Sequence, residues 1–133
     1  MKPEEELELL IGVHYGMPKR YISEKLGIAG GNRYSADEER KRAVYDYLEV
    51  INPFFDIIFY RSMNLARGNA VPEEQEREYQ TAMEEIQMRE AEPLQRISMH
   101  FGADREGVAG IERRIQELKR DYRKERRIAR QEA

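Results

Sequence analysis

The densest group of chemically active side chains in this sequence is a run of cations near its C-terminal end. Between residues 113 and 130, nine basic side chains stand against three acidic ones, a local charge of +6 in a chain whose net charge is -3. The nine are Arg113, Arg114, Lys119, Arg120, Arg123, Lys124, Arg126, Arg127 and Arg130. Clustered cations can bind the phosphates of DNA or RNA. They also suit a solvated helix end at the negative pole of the helix dipole, or a contact with the acidic residues 73–92 of a neighbouring copy.

A second candidate site lies in the N-terminal third of the chain. Residues 20–28 (RYISEKLGI) look like the first helix and turn of a helix-turn-helix motif, because Ser23 is small enough for a close helix crossing and Gly27 permits a left-handed turn. The next segment departs from that motif, since a glycine pair follows and the next helix cap is delayed to Ser35. If the motif is present, the residues expected to read DNA are Asn32, Arg33, Tyr34, Arg40 and Lys41. The alternative is an ordinary pair of core helices joined by a glycine loop.

Other side chains that could do chemistry are sparse. The sequence contains no cysteine, which excludes a disulfide framework, a cysteine zinc site and a thiol nucleophile. His14 and His100 are far apart in sequence and are more typical of packing residues than of metal ligands. The glycine pair lacks the preceding strand and the Gly-Lys-Ser/Thr ending of a phosphate-binding loop. We therefore expect no catalytic residue, no metal and no cofactor, and predict that the chain is not an enzyme.

The composition limits the class of protein further. A length of 133 residues suits a single domain, and a charged fraction of 37% is well above the roughly 25% of an average soluble domain. The acidic N-terminal segment and the lack of an apolar run of about 18 residues predict neither a targeting peptide nor a membrane span. The expected location is the cytoplasm, or the host cytoplasm if the protein is viral.

The spacing of apolar residues predicts an all-α fold of about six helices, with no strand and no repeat. We expect helices at residues 3–15, 19–26, 35–51, 53–67, 73–92 with a continuation past Pro93 to 101, and from a weak segment at 103–110 to about 131. The last helix carries a short heptad seam typical of a coiled coil, formed by Val108, Ile111, Ile115, Leu118 and Tyr122.

The most hydrophobic stretch is residues 52–68. Asn52 can cap a helix, Pro53 suits its first turn, and Gly68 suits the position just past its end. Apolar side chains go almost all the way round this helix, which predicts a buried helix. The other helices have thinner apolar stripes, so we expect a neighbouring copy to help cover this one and the protein to form a homo-oligomer. The side chains expected at that contact are Phe54, Phe55, Ile58, Phe59 and Met63.

The order of these features resembles the layout of small terminase subunits of tailed phages, with residues 21–27 (YISEKLG) as the motif that carries the likeness. The resemblance implies a DNA-binding unit at residues 1–51, a ring-forming helical hairpin at 52–102 and a C-terminal basic helix at 103–133 that engages a larger protein partner. It also implies that Lys19 and Arg20 lie near phosphate, together with Arg33, Arg40 and Lys41. The implied function is packaging of double-stranded viral DNA. The alternative is a structural or protein-interaction helical protein, such as a virion or ejection component or a small inhibitor, that does not bind DNA.

Overall fold

The computed structural model describes residues 1–132, and their regular structure is entirely helical, which confirms the all-α prediction. The α-helices are α1 (Pro3–His14), α2 (Lys19–Leu26), α3 (Glu38–Ile51), α4 (Phe55–Ala66), α5 (Glu73–Arg89), α6 (Ala91–Phe101) and α7 (Arg105–Glu132). Short 3-10 helices cover Gly31–Arg33 and Asn52–Phe54. Since α5 and α6 are separated only by Glu90, they count as one kinked helix, and the described residues then contain the six helices expected. Ala133, the last residue of the predicted C-terminal unit, lies outside them.

The core is built around α1, which packs against α2, α3 and α7, while α3 also packs against α6. Every residue of α1 from Leu7 to Gly12 is buried. A Cβ atom at Gly12 would lie 2.5 Å from Cδ1 of Ile22, so the glycine is what lets α2 approach so closely. None of the helices in residues 1–132 is both long and apolar enough to cross a membrane.

The heptad seam of α7 packs inside its own chain. Val108, Ile111, Ile115 and Leu118 are all buried, and the main partner of α7 is α1. The seam is therefore used for intramolecular helix pairing, and it ends near Tyr122, which is half-buried against the core. Up to that point α7 is an integral part of the core.

The central helix starts later and is less buried than the sequence predicts. α3 ends at Ile51, as predicted, a 3-10 turn covers Asn52–Phe54, and α4 begins only at Phe55. Phe59 is buried, while Phe54, Phe55, Ile58 and Met63 are half-buried. The side chains of Tyr60 and Leu65 are each 52% exposed. The physical reason is that α4 packs mainly against α5 and lies apart from α7, so one of its sides is left open.

Two helix ends were predicted from single residues: the start of α3 from Ser35 and the end of α4 from Gly68. The predicted cap at Ser35 is wrong, because α3 begins at Glu38 and the Asp37 carboxylate accepts a 2.8 Å hydrogen bond from the Glu39 amide. The predicted stop at Gly68 is confirmed, since its φ of 71° lies in the left-handed region that glycine tolerates.

Candidate nucleic-acid interface

α2 and α7 meet at a pair of tyrosines. The ring centroids of Tyr21 and Tyr122 are 4.7 Å apart in an edge-to-face arrangement. Three cations lie over these rings: Lys25 at 5.6 Å from the Tyr21 centroid, and Lys119 and Arg126 at 5.5 Å and 5.6 Å from the Tyr122 centroid. We call these five residues the tyrosine junction. The N-terminal unit and the basic helix, which are far apart in sequence, therefore share one surface.

The charges around the tyrosine junction are unevenly balanced. Lys25 Nζ lies 3.1 Å from the Glu125 carboxylate, which ties α2 to α7. Burial, reinforced by Glu125, raises the pKa of Tyr21 to about 12, so this phenol stays neutral around pH 7. Burial and the nearby positive charge of Arg123 lower the pKa of Lys119. A lysine that is partly desolvated among other cations would be stabilised in its charged form by a bound anion.

Beyond Tyr122, α7 contributes no buried side chain, and its last contact with α2 is the ion pair between Glu125 and Lys25. Every residue from Arg123 to Glu132 is exposed, and we call this segment the cationic tip. Ten residues of α-helix extend about 15 Å. The tip carries five cations and two carboxylates, a net charge of +3. Glu125 is paired with Lys25, and Arg126 lies against Tyr122. Within residues 1–132 no carboxylate forms an ion pair with the other four cations of the tip, which are Arg123, Lys124, Arg127 and Arg130.

The earlier cations of the basic run have other surroundings. Arg114 lies 3.3 Å from Glu8 and 3.9 Å from Glu4, so it joins α7 to α1. Arg113 and Arg120 are exposed and line a groove that α7 forms with α4 and α5. The run that looks continuous in the sequence is therefore divided between an internal ion pair, a groove wall and the cationic tip.

Of the DNA-contacting residues predicted in the N-terminal unit, Arg20, Asn32 and Arg33 are exposed. Arg20 pairs with Glu24 one turn further along α2, at 3.1 Å. The other four predicted residues, Lys19, Tyr34, Arg40 and Lys41, make contacts within the chain.

Glu6 of α1 holds two of these four residues. The Tyr34 hydroxyl donates a 3.1 Å hydrogen bond to Glu6, and Arg40 donates two more to the same oxygen, at 3.1 Å and 2.9 Å. Arg40 also donates to the His100 carbonyl at 2.8 Å, and its guanidinium lies 4.4 Å from the Phe101 ring centroid. These side chains thus fix the loop and α3 to α1 and α6.

Lys19 and Lys41 also have partners inside the chain. The Lys19 ammonium donates a 2.5 Å hydrogen bond to the Tyr34 carbonyl, which ties α2 to the end of the following loop. The Lys41 ammonium lies 5.5 Å from the Tyr45 ring centroid. In this single chain, the exposed cations at the predicted N-terminal site are therefore Arg20 and Arg33.

The turn after α2 also differs from a helix-turn-helix. Gly27 adopts the predicted left-handed conformation, with φ of 67°. The small Ser23 faces the 3-10 helix, since a Cβ at Gly31 would lie 2.1 Å from Ser23 Oγ. α2 therefore packs mainly against this 3-10 helix and α1, while α3 packs against α1 and α6.

The groove beside α4 has a volume of about 920 Å³ and a buried carboxyl group in its wall. We call it the hairpin groove, because the α4–α5 hairpin forms one side and α7 the other. The Glu112 carboxyl group accepts hydrogen bonds from Tyr15 at 3.0 Å, Tyr47 at 3.4 Å and Gln116 at 3.4 Å. Burial raises the pKa of Glu112, although these hydrogen bonds oppose the shift. Within residues 1–132, no cluster of three or more His, Asp or Glu side chains is placed to hold a metal ion.

The tyrosine junction was not visible in the sequence. Tyr21 and Tyr122 belong to helices at opposite ends of the chain, and no local spacing connects them. Comparisons of this chain with protein-family models, curated protein sequences and solved structures found no match.

Proposed function

We propose that this chain is a non-enzymatic, self-associating DNA-binding protein, similar in role to a small terminase subunit, and that it contacts duplex DNA mainly through the cationic tip. The supporting observation is the exposure of every residue of the tip, with four cations that have neither a carboxylate partner nor an aromatic ring beside them within residues 1–132. An α-helix with its side chains is about 10–12 Å wide and fits the major groove of B-DNA, which is about 12 Å wide. Cations on such a helix reach the phosphates on both sides.

The tyrosine junction extends this surface at the base of the tip. It adds Lys25, Lys119 and Arg126 beside two aromatic rings. Arg20 and Arg33 are exposed on the neighbouring α2 and 3-10 helix and provide secondary contacts. DNA binding in this proposal is therefore centred on the C-terminal helix, with the N-terminal unit beside it.

The test measures duplex DNA binding by fluorescence anisotropy between about 50 and 200 mM salt, the range in which phosphate contacts have a large effect. A tip variant carries Arg123→Gln, Lys124→Gln, Arg127→Gln and Arg130→Gln, which removes charge and keeps a good helix former at each position. Each lost phosphate contact reduces the slope of log K against log salt by about 0.9, so the slope should become shallower by up to about 3.6. The full chain is needed, because α7 supplies core residues up to Leu118.

The matched control removes the same charge at four exposed arginines elsewhere, through Arg42→Gln, Arg67→Gln, Arg77→Gln and Arg89→Gln. We expect this control to bind DNA nearly as well as the native chain. Equal weakening in both variants would show that net charge, and not the tip, governs binding. No binding by the native chain at low salt would overturn the DNA-binding proposal.

A second candidate function is a protein-interaction role without DNA. The observation that favours it is the hairpin groove, which leaves apolar side chains of α4 uncovered in a single chain. Under this alternative the cationic tip would bind an acidic surface of a larger protein. Salt-independent assembly together with absent DNA binding would favour this role.

A further inference from the structure

We propose that a cleft between the end of α1, the start of α4 and α7 binds a phosphate group. We call it the α1–α7 cleft. It is lined by residues 14–16, by Asn52 and Asp56, and by Lys119 and Arg123 of α7. Binding here does not depend on the proposed contact between the cationic tip and DNA, because a DNA strand and a free phosphate ester both carry the group.

α7 presents two cations to the α1–α7 cleft. Lys119 and Arg123 are four residues apart, so they project from nearly the same side of the helix, one turn from each other. Ammonium and guanidinium groups form strong hydrogen bonds with phosphate oxygens, because both partners are charged. The cleft has a volume of about 420 Å³, within the roughly 300–1,000 Å³ typical of ligand pockets. It is therefore large enough for a phosphate together with a group esterified to it.

The Lys119 ammonium has no acidic partner in the described chain. Within residues 1–132 it forms neither an ion pair nor a hydrogen bond, and it lies 5.5 Å from the centroid of the Tyr122 ring. Burial is the main reason that the pKa of Lys119 is lowered, and the cations Arg123 and Arg126 lower it further. A bound anion would reduce the repulsion among these cations and accept hydrogen bonds from the ammonium.

Asp56 is the one carboxylate among the residues that line the cleft, and it does not cancel the two cations. It is exposed and lies in the first turn of α4, where a carboxylate suits the positive end of that helix's dipole. It forms no ion pair with Lys119 or Arg123. Burial lowers the pKa of His14, although the charge of Glu49 opposes this shift, so the imidazole is neutral at pH 7. Two cations and one carboxylate then leave the cleft with a net charge of +1.

The end of α1 leaves space beside Lys119. Gly16 has a φ of 88°, in the left-handed region that favours glycine, and a Cβ there would lie 3.4 Å from the Lys119 Nζ. The C-terminal end of a helix carries only about half a negative charge, which leaves the two cations largely uncompensated. Tyr15 and Phe55, whose ring centroids are 5.1 Å apart, add aromatic surface to the same cleft. This combination favours a phosphate that carries an organic group over inorganic phosphate.

The test adds deoxyadenosine monophosphate (dAMP) at constant ionic strength and follows the Gly16 amide signal by NMR. The signal should shift and saturate with a dissociation constant at or below about 1 mM. A pH titration with and without dAMP should show a higher pKa for Lys119 when the ligand is bound, because the anion stabilises the charged ammonium. A native chain that shows no saturation up to about 10 mM dAMP would overturn the proposal.

Two variants remove the cations of the cleft one at a time. Lys119→Met keeps an unbranched side chain without the charge, and Arg123→Gln changes an exposed position. Each should weaken dAMP binding by at least about tenfold, the loss expected for a hydrogen bond to a charged group. If Lys119→Met does not fold, Arg123→Gln decides the test. Unchanged binding in a folded variant would overturn the proposal.

Lys41→Met is the matched control. Lys41 is half-buried like Lys119, and its ammonium is also 5.5 Å from a tyrosine ring centroid, but it does not line the cleft. This control should bind dAMP like the native chain, and an equal loss there would overturn the site in favour of a general effect of net charge. Asp56→Asn should tighten dAMP binding by up to about fivefold, because it removes the carboxylate that repels the phosphate.

Further titrations identify the source of the phosphate. Deoxyadenosine, which lacks the phosphate, should bind at least about tenfold more weakly than dAMP, and equal binding would overturn the phosphate assignment. Duplex DNA is then added to the chain loaded with dAMP. Displacement of dAMP would support the site with a DNA strand as its ligand, whereas retained dAMP would support it with a free phosphate ester. A chain that binds dAMP but no DNA would overturn the DNA-binding proposal and leave this site in place.

Discussion

The burial of α1 and α4 is the reverse of what their sequences suggest. α1 carries four glutamates in its first six residues, yet it is the most deeply buried helix of the described chain. α4 is apolar on nearly every side, yet Tyr60 and Leu65 are half exposed. Burial thus depends on how many neighbours a helix has, and not only on how apolar it is.

The buried Glu8 and the half-buried Glu6 of α1 are accommodated because arginines from other helices meet them. Glu6 accepts hydrogen bonds from Arg40 of α3, and Glu8 lies 3.3 Å from Arg114 of α7. Burial raises the pKa of Glu8, and the charge of Arg114 opposes that shift. Buried charges are tolerated only when they are paired in this way. The pairs act across the chain, so the order of residues within α1 gives no sign of them.

The largest effect is expected from removing a large side chain in α1. Leu9→Ala deletes a fully buried side chain and should lower the free energy of unfolding by about 2–5 kcal/mol. The control is Leu65→Ala in α4, where the side chain is half exposed and the cost should stay below about 1 kcal/mol. Urea denaturation of both variants measures the difference. Equal costs for the two variants would mean that α4 is as well covered as α1. Since assembly could also cover α4, both variants are compared at a concentration where the chain is monomeric.

Features that depend on residues close together in the sequence were predicted correctly, whereas features that depend on contacts between distant residues were missed. The all-α class, the stop at Gly68, the left-handed turn at Gly27 and the apolar seam of α7 all follow from spacing within a few residues. The cap of α3 was misplaced by two residues, because Tyr34 is held by Glu6 and the chain around it stays extended. The tyrosine junction needed the packing of α2 on α7, which no local pattern encodes. The sequence also did not show that the basic run at residues 113–130 is divided among different surroundings, because that division depends on the packing of α7 against distant helices.

An intermediate effect is expected at Glu112, which lies between the two regions. Burial raises its pKa above the ordinary value of 4.5, so the folded state holds a proton that the unfolded state releases. Its stabilising contribution is therefore present at low pH and lost as the pH rises through the raised pKa. Glu112→Gln keeps an oxygen that can accept hydrogen bonds from the tyrosines but cannot ionise.

The free energy of unfolding of the native chain, relative to the Glu112→Gln variant, should fall as the pH rises above about 4.5, by at most about 1.4 kcal/mol per pH unit. Urea denaturation at a series of pH values measures this difference, and Glu8 cancels because both chains contain it. A difference that is independent of pH would show that the hydrogen bonds from Tyr15, Tyr47 and Gln116 fully offset the effect of burial on the pKa of Glu112.

The smallest effect on global stability is expected in the α4–α5 hairpin, which is held mainly by contacts within itself. Arg61 donates two hydrogen bonds to Glu76, at 2.8 Å and 3.2 Å, and these bonds lower the pKa of Glu76. The contribution of this pair is present above the ordinary carboxyl pKa and is lost as the pH falls through the lowered value. Because the pair is screened by solvent, Glu76→Gln should leave global unfolding almost unchanged.

The same variant should, however, speed amide hydrogen exchange in α4 and α5, while α1 keeps the protection of the global core. This outcome follows because opening the hairpin breaks few contacts with α7, so the hairpin can open without unfolding the rest. Exchange that accelerates equally in α1 would show that hairpin and core unfold as one unit. The contrast between the two helices would then be one of exposure alone, without a difference in local stability.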